Sequence, residues 1–518
     1  MSGARRRDDV VERVTLAFVA RTKNLLQRVR ARIRFGLMAE SSERVAEPLN
    51  EPSSARGLGA AWALVRDALR GAPIDHTTAP IGRSVVMLAI PMVMEMIMES
   101  VFAIADVFWV SHLGANATAV VGLTESMMVI MYSVAMGLAI GAMALVARRI
   151  GEKKPTEAAR TATQAIALGV GISAMIGVVC ATNASTLLRV MGATPEVIAT
   201  GSRFTQVMMG GNMTVFLLFL INAIFRGAGD AAFAMRVLWM GNILNIVLGP
   251  CFIFGIGPFP ELGVTGAAVA TTIGRGTAVL YQLYLLTGGR SKIKLTRETL
   301  GLDFGVMGTV LRMSLSGTFQ ILISTTSYVG LVRIISDFGS VPLAGYTIGL
   351  RIIMFALLPS FGISNAAATL VGQNLGAGRP DRAEQAVWRA GLYNVIILGG
   401  LGLLFVAFAP WLVGFFTVDE AVRSYGVSCL RIVSGGFLFY AYGMVVSQSF
   451  NGAGDTWTPT VLNFISFWVL QLPLAWILSQ HTALGARGVF AALAICFSVL
   501  AVLSTMVFRR GRWKMKTV

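Results

Sequence analysis

The feature that most constrains this chain is a series of long apolar stretches. A membrane-spanning helix needs about 20 mostly apolar residues. Twelve windows meet that length: 84–110, 119–147, 159–181, 202–225, 233–255, 264–287, 308–336, 344–370, 388–414, 427–450, 458–479 and 489–508. Hydrocarbon offers the backbone no hydrogen-bond partner, so such stretches must satisfy their own N–H and C=O groups as helices. The expected fold class is all-α, a polytopic membrane protein of twelve transmembrane helices. Composition agrees: 55% of the 518 residues are hydrophobic and only 13% are charged, where a soluble domain carries about 25% charge. Pro91, Pro250, Pro359 and Pro473 fall inside spans and predict kinks or local unwinding.

The net charge of +17 does not mark a nucleic-acid binder, because the basic residues sit at the chain ends and in alternate loops. The segments after even spans hold Arg148, Arg149, Lys153 and Lys154, then Arg290, Lys292, Lys294 and Arg297, and finally Arg509, Arg510, Arg512, Lys514 and Lys516. The loops after odd spans hold little more than Arg189, Arg423 and Arg487. This asymmetry puts both termini in the cytoplasm of a multi-pass protein of the plasma (inner) membrane. Residues 1–79 form a basic N-terminal extension with no apolar core of the signal-peptide kind. Its amphipathic stretch Val10–Phe35 reads either as a helix on anionic lipid or as a solvated extension.

A duplication organises the chain. Phe225-Arg226-Gly227-Ala228-Gly229-Asp230 recurs as Phe450-Asn451-Gly452-Ala453-Gly454-Asp455, an offset of 225 residues. The same offset pairs Gly114 with Gly339, Gly151 with Gly376, Pro155 with Pro380, and Gly210-Gly211 with Gly435-Gly436. One register held across two halves signals an internal repeat. Each half has six spans, so the copies are parallel, related by a pseudo-two-fold axis along the membrane normal. The expected divisions are an N-lobe at 80–290, a linker at 291–307, a C-lobe at 308–508 and a basic tail at 509–518.

Ionisable groups at bilayer depth cost about 2.5–3.5 kcal/mol or more and are candidates for function. Glu95, Glu99 and Asp106 lie in the first window, and Glu125 lies early in the second. At 100° per residue the first three form one stripe about 16 Å long. They are the expected ion-coupling groups. At the repeat offset they become Gln320, Ser324 and Leu331, and Glu125 becomes Leu350, so ion coupling is expected in the first half alone. Asn242 and Asn245 either complete that site or serve as interhelical glue. Met209, with Met127, Met128, Met131, Met208 and Met213, gives either an adaptable cavity wall or ordinary core. Glu125, Thr271, Gln320 and Tyr440 complete the expected cavity set.

No cofactor or metal is expected. The four cysteines are isolated in apolar runs, the three histidines lie outside the spans, and no P-loop or dinucleotide fingerprint is present.

These residues resemble the multidrug and toxic compound extrusion (MATE) family over about residues 80–508. The resemblance rests on Ile90-Pro91, then Ala105-Asp106-Val107-Phe108 and Leu113-Gly114, on the Arg226–Asp230 motif, on Leu262–Ala268 and on Val371–Gly378. Pro91, Gly227, Gly229, Asp230, Gly452, Gly454 and Asp455 are then motif residues that hold the fold. The resemblance implies two six-helix lobes in a V, and antiport of amphipathic, often cationic compounds against H⁺ or Na⁺, by a monomer. The family's span 1 aspartate falls on Asp106, and the span 5 asparagine of its DinF-like branch falls on Asn245. That branch's next aspartate is replaced here by Gly249, and the acids of the NorM-like branch by Ser324 and Tyr440. A lipid-linked oligosaccharide flippase is the alternative, ranked lower because the first-half cavity is expected to be acidic. An intramembrane enzyme ranks below that, because no nucleophile or metal accompanies the carboxylates.

Overall fold

The computed structural model describes residues 58–516, so the amphipathic stretch at Val10–Phe35 lies outside the described residues. All regular structure among them is helical. A short helix, Leu58–Arg70, precedes span 1 (Ile81–Ser111), span 2 (Ala115–Gly151), span 3 (Pro155–Thr182), span 4 (Pro195–Gly210 continued by Asn212–Ala228), span 5 (Ala231–Phe254) and span 6 (Val264–Thr287). The second half repeats the series. Span 7 is Phe304–Ser336, span 8 Ser340–Gly376 and span 9 Pro380–Gly414. Span 10 is Glu420–Gly435 with Phe437–Gly452, span 11 runs Trp457–Gln480, and span 12 is Arg487–Arg509.

Ten of these helices are long and apolar enough to cross a bilayer, and the bent pair of span 10 makes an eleventh. Span 6 is long enough, at 24 residues, but is not apolar enough by itself. The reason is its buried face, which carries Thr271, Arg275 and Gln282 towards neighbouring helices.

Local chemistry explains the breaks. Spans 4 and 10 each interrupt at the second glycine of the repeated Gly-Gly pair, Gly211 and Gly436, and span 10 bends there by 58°. Span 11 widens to a π-helix over Phe464–Gln471, just before Pro473. Proline has no N–H to donate, and its ring crowds the preceding turn, so a wider turn relieves both.

The repeat register reappears as tertiary contact. Spans 2 and 7, and spans 1 and 8, cross at the seam between the halves. A Cβ on Gly137 would collide with Thr318, and a Cβ on Gly362 would collide with Val93. These are the same contact displaced by 225 residues. At the basic end Gly151 abuts the Gln373 backbone, and Gly376 abuts the Arg148 backbone. Within the lobes Gly227 abuts Met143, as Gly452 abuts Ala368. Glycine at these crossings is a requirement of close helix approach.

The basic end is also strapped. Asp75, just before span 1, accepts from Lys153 Nζ at 2.7 Å and from Thr77 N and Oγ1. Burial raises its carboxyl, but these donors outweigh it and hold Asp75 well below the usual carboxylate range. From the second half, Arg379 donates to the Thr77 carbonyl at 2.8 Å, and Arg382 donates to the Ala79 carbonyl. His76 is buried among these groups. Burial, helped by Lys292 and Arg382, pushes its imidazole down to about 3. The C-terminal tail docks nearby. Trp513 is buried against Phe508, with ring centroids 4.6 Å apart. Lys514 pairs with Glu384 and Asp381, Lys516 pairs with Asp455, and Arg148 of span 2 donates to the Lys516 carbonyl.

Candidate functional site

Span 1 presents its acids to the first half, where each meets a different environment. Glu95 is buried, and Arg226 at the end of span 4 donates to its Oε1 at 2.9 Å. Asn222, one turn earlier on span 4, donates to the same oxygen at 2.9 Å. Gln282 of span 6 donates in turn to Asn222 Oδ1 at 2.7 Å. Spans 1, 4 and 6 are thereby joined through buried side chains, where a low local dielectric strengthens each bond.

Glu99, one turn further along, sits in a second network. Asn242 of span 5 donates to its Oε2 at 2.9 Å, and Arg275 of span 6 lies 3.5 Å from its Oε1. Arg275 is almost fully buried. It also donates to the Tyr132 hydroxyl at 3.1 Å and packs its guanidinium over the Phe102 ring. Asp106 is half-buried and has no hydrogen bond or ion pair among the described residues. The stripe of three carboxylates is therefore two arginine-paired groups and one unpaired group.

The repeat shows which of these contacts the fold itself demands. Gln320 occupies the position of Glu95, and Asn451 that of Arg226. Gln320 donates to Asn451 Oδ1 at 3.0 Å and to the Thr456 carbonyl at 3.0 Å. The second half keeps the tether with neutral partners. The Glu99 network has no such counterpart: Asn242, Arg275 and Tyr132 correspond to Phe467, Leu500 and Leu357.

A cavity of about 560 Å³ lies between the halves. Its wall is mostly apolar, with Gln320, Ser324 and Tyr440 from the second half and Arg226, Met96 and Phe219 from the first. Tyr440 stacks on Phe497 at 4.0 Å. Of the residues named from the sequence, Gln320 and Tyr440 line this cavity, whereas Asn242, Asn245, Thr271, Met209 and Glu125 do not. Asn245 instead donates to Thr271 Oγ1 at 2.9 Å, pinning span 5 to span 6. Met209 is fully buried in a packed cluster with Met128, Met131 and Phe216, so it fills core. Glu125 is exposed and has no hydrogen bond or ion pair among the described residues. At Gly249, where the resemblance expects an aspartate, a Cβ would meet Trp109 Cδ1 at 3.7 Å.

The expectation of an acidic first half is corrected. Arg226 and Arg275 place two cations beside two of the carboxylates. In the sequence Arg226 reads as part of a loop motif, and Arg275 does not stand out within its apolar window. Both become visible when every charged residue in such a window, basic as well as acidic, is treated as a site candidate.

The MatE family model matches residues 91–251 and again 318–477, one match to each half. A probable multidrug resistance protein NorM of Thermotoga maritima is 24% identical over 438 residues, covering 85% of this chain and 94% of that protein. An FAD transporter of Shewanella oneidensis is 24% identical, covering 81% and 92%. Among solved structures, a crystal structure of a MATE protein in the straight conformation matches with a TM-score of 0.79 at 26% identity, covering 87% of this chain and 99% of that one. A MOP superfamily transporter from Pyrococcus furiosus, described as having a binding pocket of reverse polarity, matches with a TM-score of 0.79 at 27% identity, covering 87% and 98%.

Proposed function

This chain belongs to the MatE family, and we propose that it is an antiporter coupled to H⁺ rather than Na⁺, exporting amphipathic, often cationic compounds. At the coarser level it is a multi-pass membrane protein and a secondary transporter of small molecules, not an enzyme. The finer reading rests on one observation. Asp106 is the span 1 carboxylate with no hydrogen bond or ion pair among the described residues, Arg275 acting on it only at longer range, and its counterpart in the second half is Leu331. A carboxylate that is absent from the second half and that no arginine holds in a direct ion pair is suited to take up and release a proton as access alternates. Glu95 and Glu99 hold the lobe together around it. Substrate would occupy the apolar cavity between the halves, where Tyr440 and Phe497 offer an aromatic surface to a cationic ring system. The basic end would face the cytoplasm of the plasma membrane, and the protein would act as a monomer.

Proteoliposomes test this reading. An imposed pH step should drive accumulation of a cationic dye, a Na⁺ step should not, and Asp106→Asn should abolish the pH-driven flux while the protein still folds. Undiminished flux in that variant would defeat the assignment. A flippase for a lipid-linked oligosaccharide or another lipid is a second reading, now favoured by Arg226, a buried cation that lines the cavity. Flipping of a fluorescent lipid-linked sugar, with no dye transport under any gradient, would decide for it.

A further inference from the structure

We propose that the groove between spans 1, 8 and 9 holds an acyl chain of an anionic phospholipid whose phosphate sits between Arg83 and Arg389. The groove has a volume of about 390 Å³. Val86, Ala89 and Ile90 of span 1, Ile363 of span 8, and Tyr393 and Ile397 of span 9 form its wall. Apart from the Tyr393 hydroxyl, its side chains offer only carbon or sulfur. It lies at membrane depth on the outside of the bundle, and Ile397 on its rim is exposed. Lipid hydrocarbon is the solvent of that surface.

Charge selects the lipid. Arg83 precedes Val86 and Ile90 by three and seven residues, and Arg389 precedes Tyr393 and Ile396 by four and seven. Each arginine therefore lies on its helix's groove-facing stripe. A Cβ on Gly82 would sit 2.9 Å from the Tyr393 hydroxyl, which fixes the relative height of the two helices. Arg83 adjoins that contact, and Arg389 lies one turn towards the basic end. Both are exposed, and neither has a hydrogen bond or ion pair among the described residues. Two unpaired guanidinium groups at the mouth of an apolar groove match one phosphate with its chain, because a phosphate can accept charge-assisted bonds from both.

The other half argues that these cations are not there for the fold. At the repeat offset Arg83 becomes Gly308 and Arg389 becomes Gln164. Gln164 is buried and bonds the Gly301 carbonyl and the Asp303 N–H. The groove also crosses the seam between the halves, since span 1 comes from the first and spans 8 and 9 from the second. This inference stands whatever the transported substrate.

The full-length protein in detergent, exposed to equal phosphatidylglycerol and phosphatidylcholine, should retain one phosphatidylglycerol with at least tenfold preference in native mass spectrometry. Arg83→Gln with Arg389→Gln should reduce that preference at least tenfold without lowering the melting temperature. In wild type, phosphatidylglycerol with brominated chains should place bromine density in the groove. Equal retention of the two lipids, a preference unchanged in the double variant, equal competition by chainless glycerophosphate, or bromine elsewhere would each overturn the proposal.

Discussion

Arg226 donates to Glu95 across 2.9 Å at the place in the first half where Gln320 donates to Asn451 in the second. One tether between the first and fourth helices of each lobe is ionic in one copy and neutral in the other. Removing one member of a buried ion pair typically costs about 3–5 kcal/mol, while replacing both can be neutral. Glu95→Gln alone should therefore lower the melting temperature in detergent sharply. Glu95→Gln with Arg226→Asn, which copies the second half, should restore most of it. A double variant as unstable as the single one would show that the two tethers are not equivalent.

The crossing of spans 2 and 8 at the basic end has no room for a side chain at Gly151 or Gly376. Alanine at either position should cost about 1–3 kcal/mol of packing there, relieved when the helices part. In a background without the four native cysteines, each variant should speed labelling of Ala144→Cys by a water-soluble maleimide. Gly122→Ala, whose Cβ meets nothing within 4 Å, should not. Identical labelling in all three would remove the crossing as the closure of this end.

His76 gives the strap a pH dependence of known sign. In the unfolded chain the imidazole titrates near 6.5, and in the strap near 3. Between those values the unfolded state binds the extra proton. Stability from this group is full above pH 6.5 and falls as pH drops towards 3, by at most about 1.4 kcal/mol per pH unit. Asp75, Lys153, Lys292, Arg379 and Arg382 surround it, and Asp75, held low, keeps its charge through the upper part of that window. Melting curves at pH 7 and pH 5 should show a larger drop for wild type than for His76→Gln. Equal drops would contradict the burial of a neutral imidazole.

Trp513 anchors the tail by burying its ring against Phe508 and donating its indole N–H to the Phe508 carbonyl at 2.9 Å. Truncating a buried Trp typically costs about 3–5 kcal/mol, more than the Lys516–Asp455 pair, whose lysine is exposed, can offset. Trp513→Ala should therefore free the tail and speed tryptic cleavage after Arg512 several-fold. An unchanged cleavage rate would mean that the ion pairs alone hold the segment.

Much of the fold was legible because its cause is local. A stretch of 20 apolar residues has few alternatives to a helix in hydrocarbon, so most spans were found within a few residues. Span 6 was found too, at Val264–Thr287, although its polar side chains serve neighbouring helices and dilute its apolar signal. The site was legible only as a list of charged residues. Periodicity put Glu95, Glu99 and Asp106 on one face of span 1, but nothing local says that Arg226 meets the first and Arg275 the second. Met209 stayed open between core and cavity wall for the same reason, since a methionine reads alike in both, and packing places it in the core.

The sequence by itself determined the helices, the two-fold repeat and the glycines and prolines at its fixed points, because these follow from hydrophobic length and backbone sterics. Tertiary structure alone decided which carboxylates are paired. Pairing depends on the approach of helices 127 to 176 residues apart in the chain, and that distance is set by packing. What entered as a uniform acidic stripe is a neutralised scaffold around one unpaired group, Asp106.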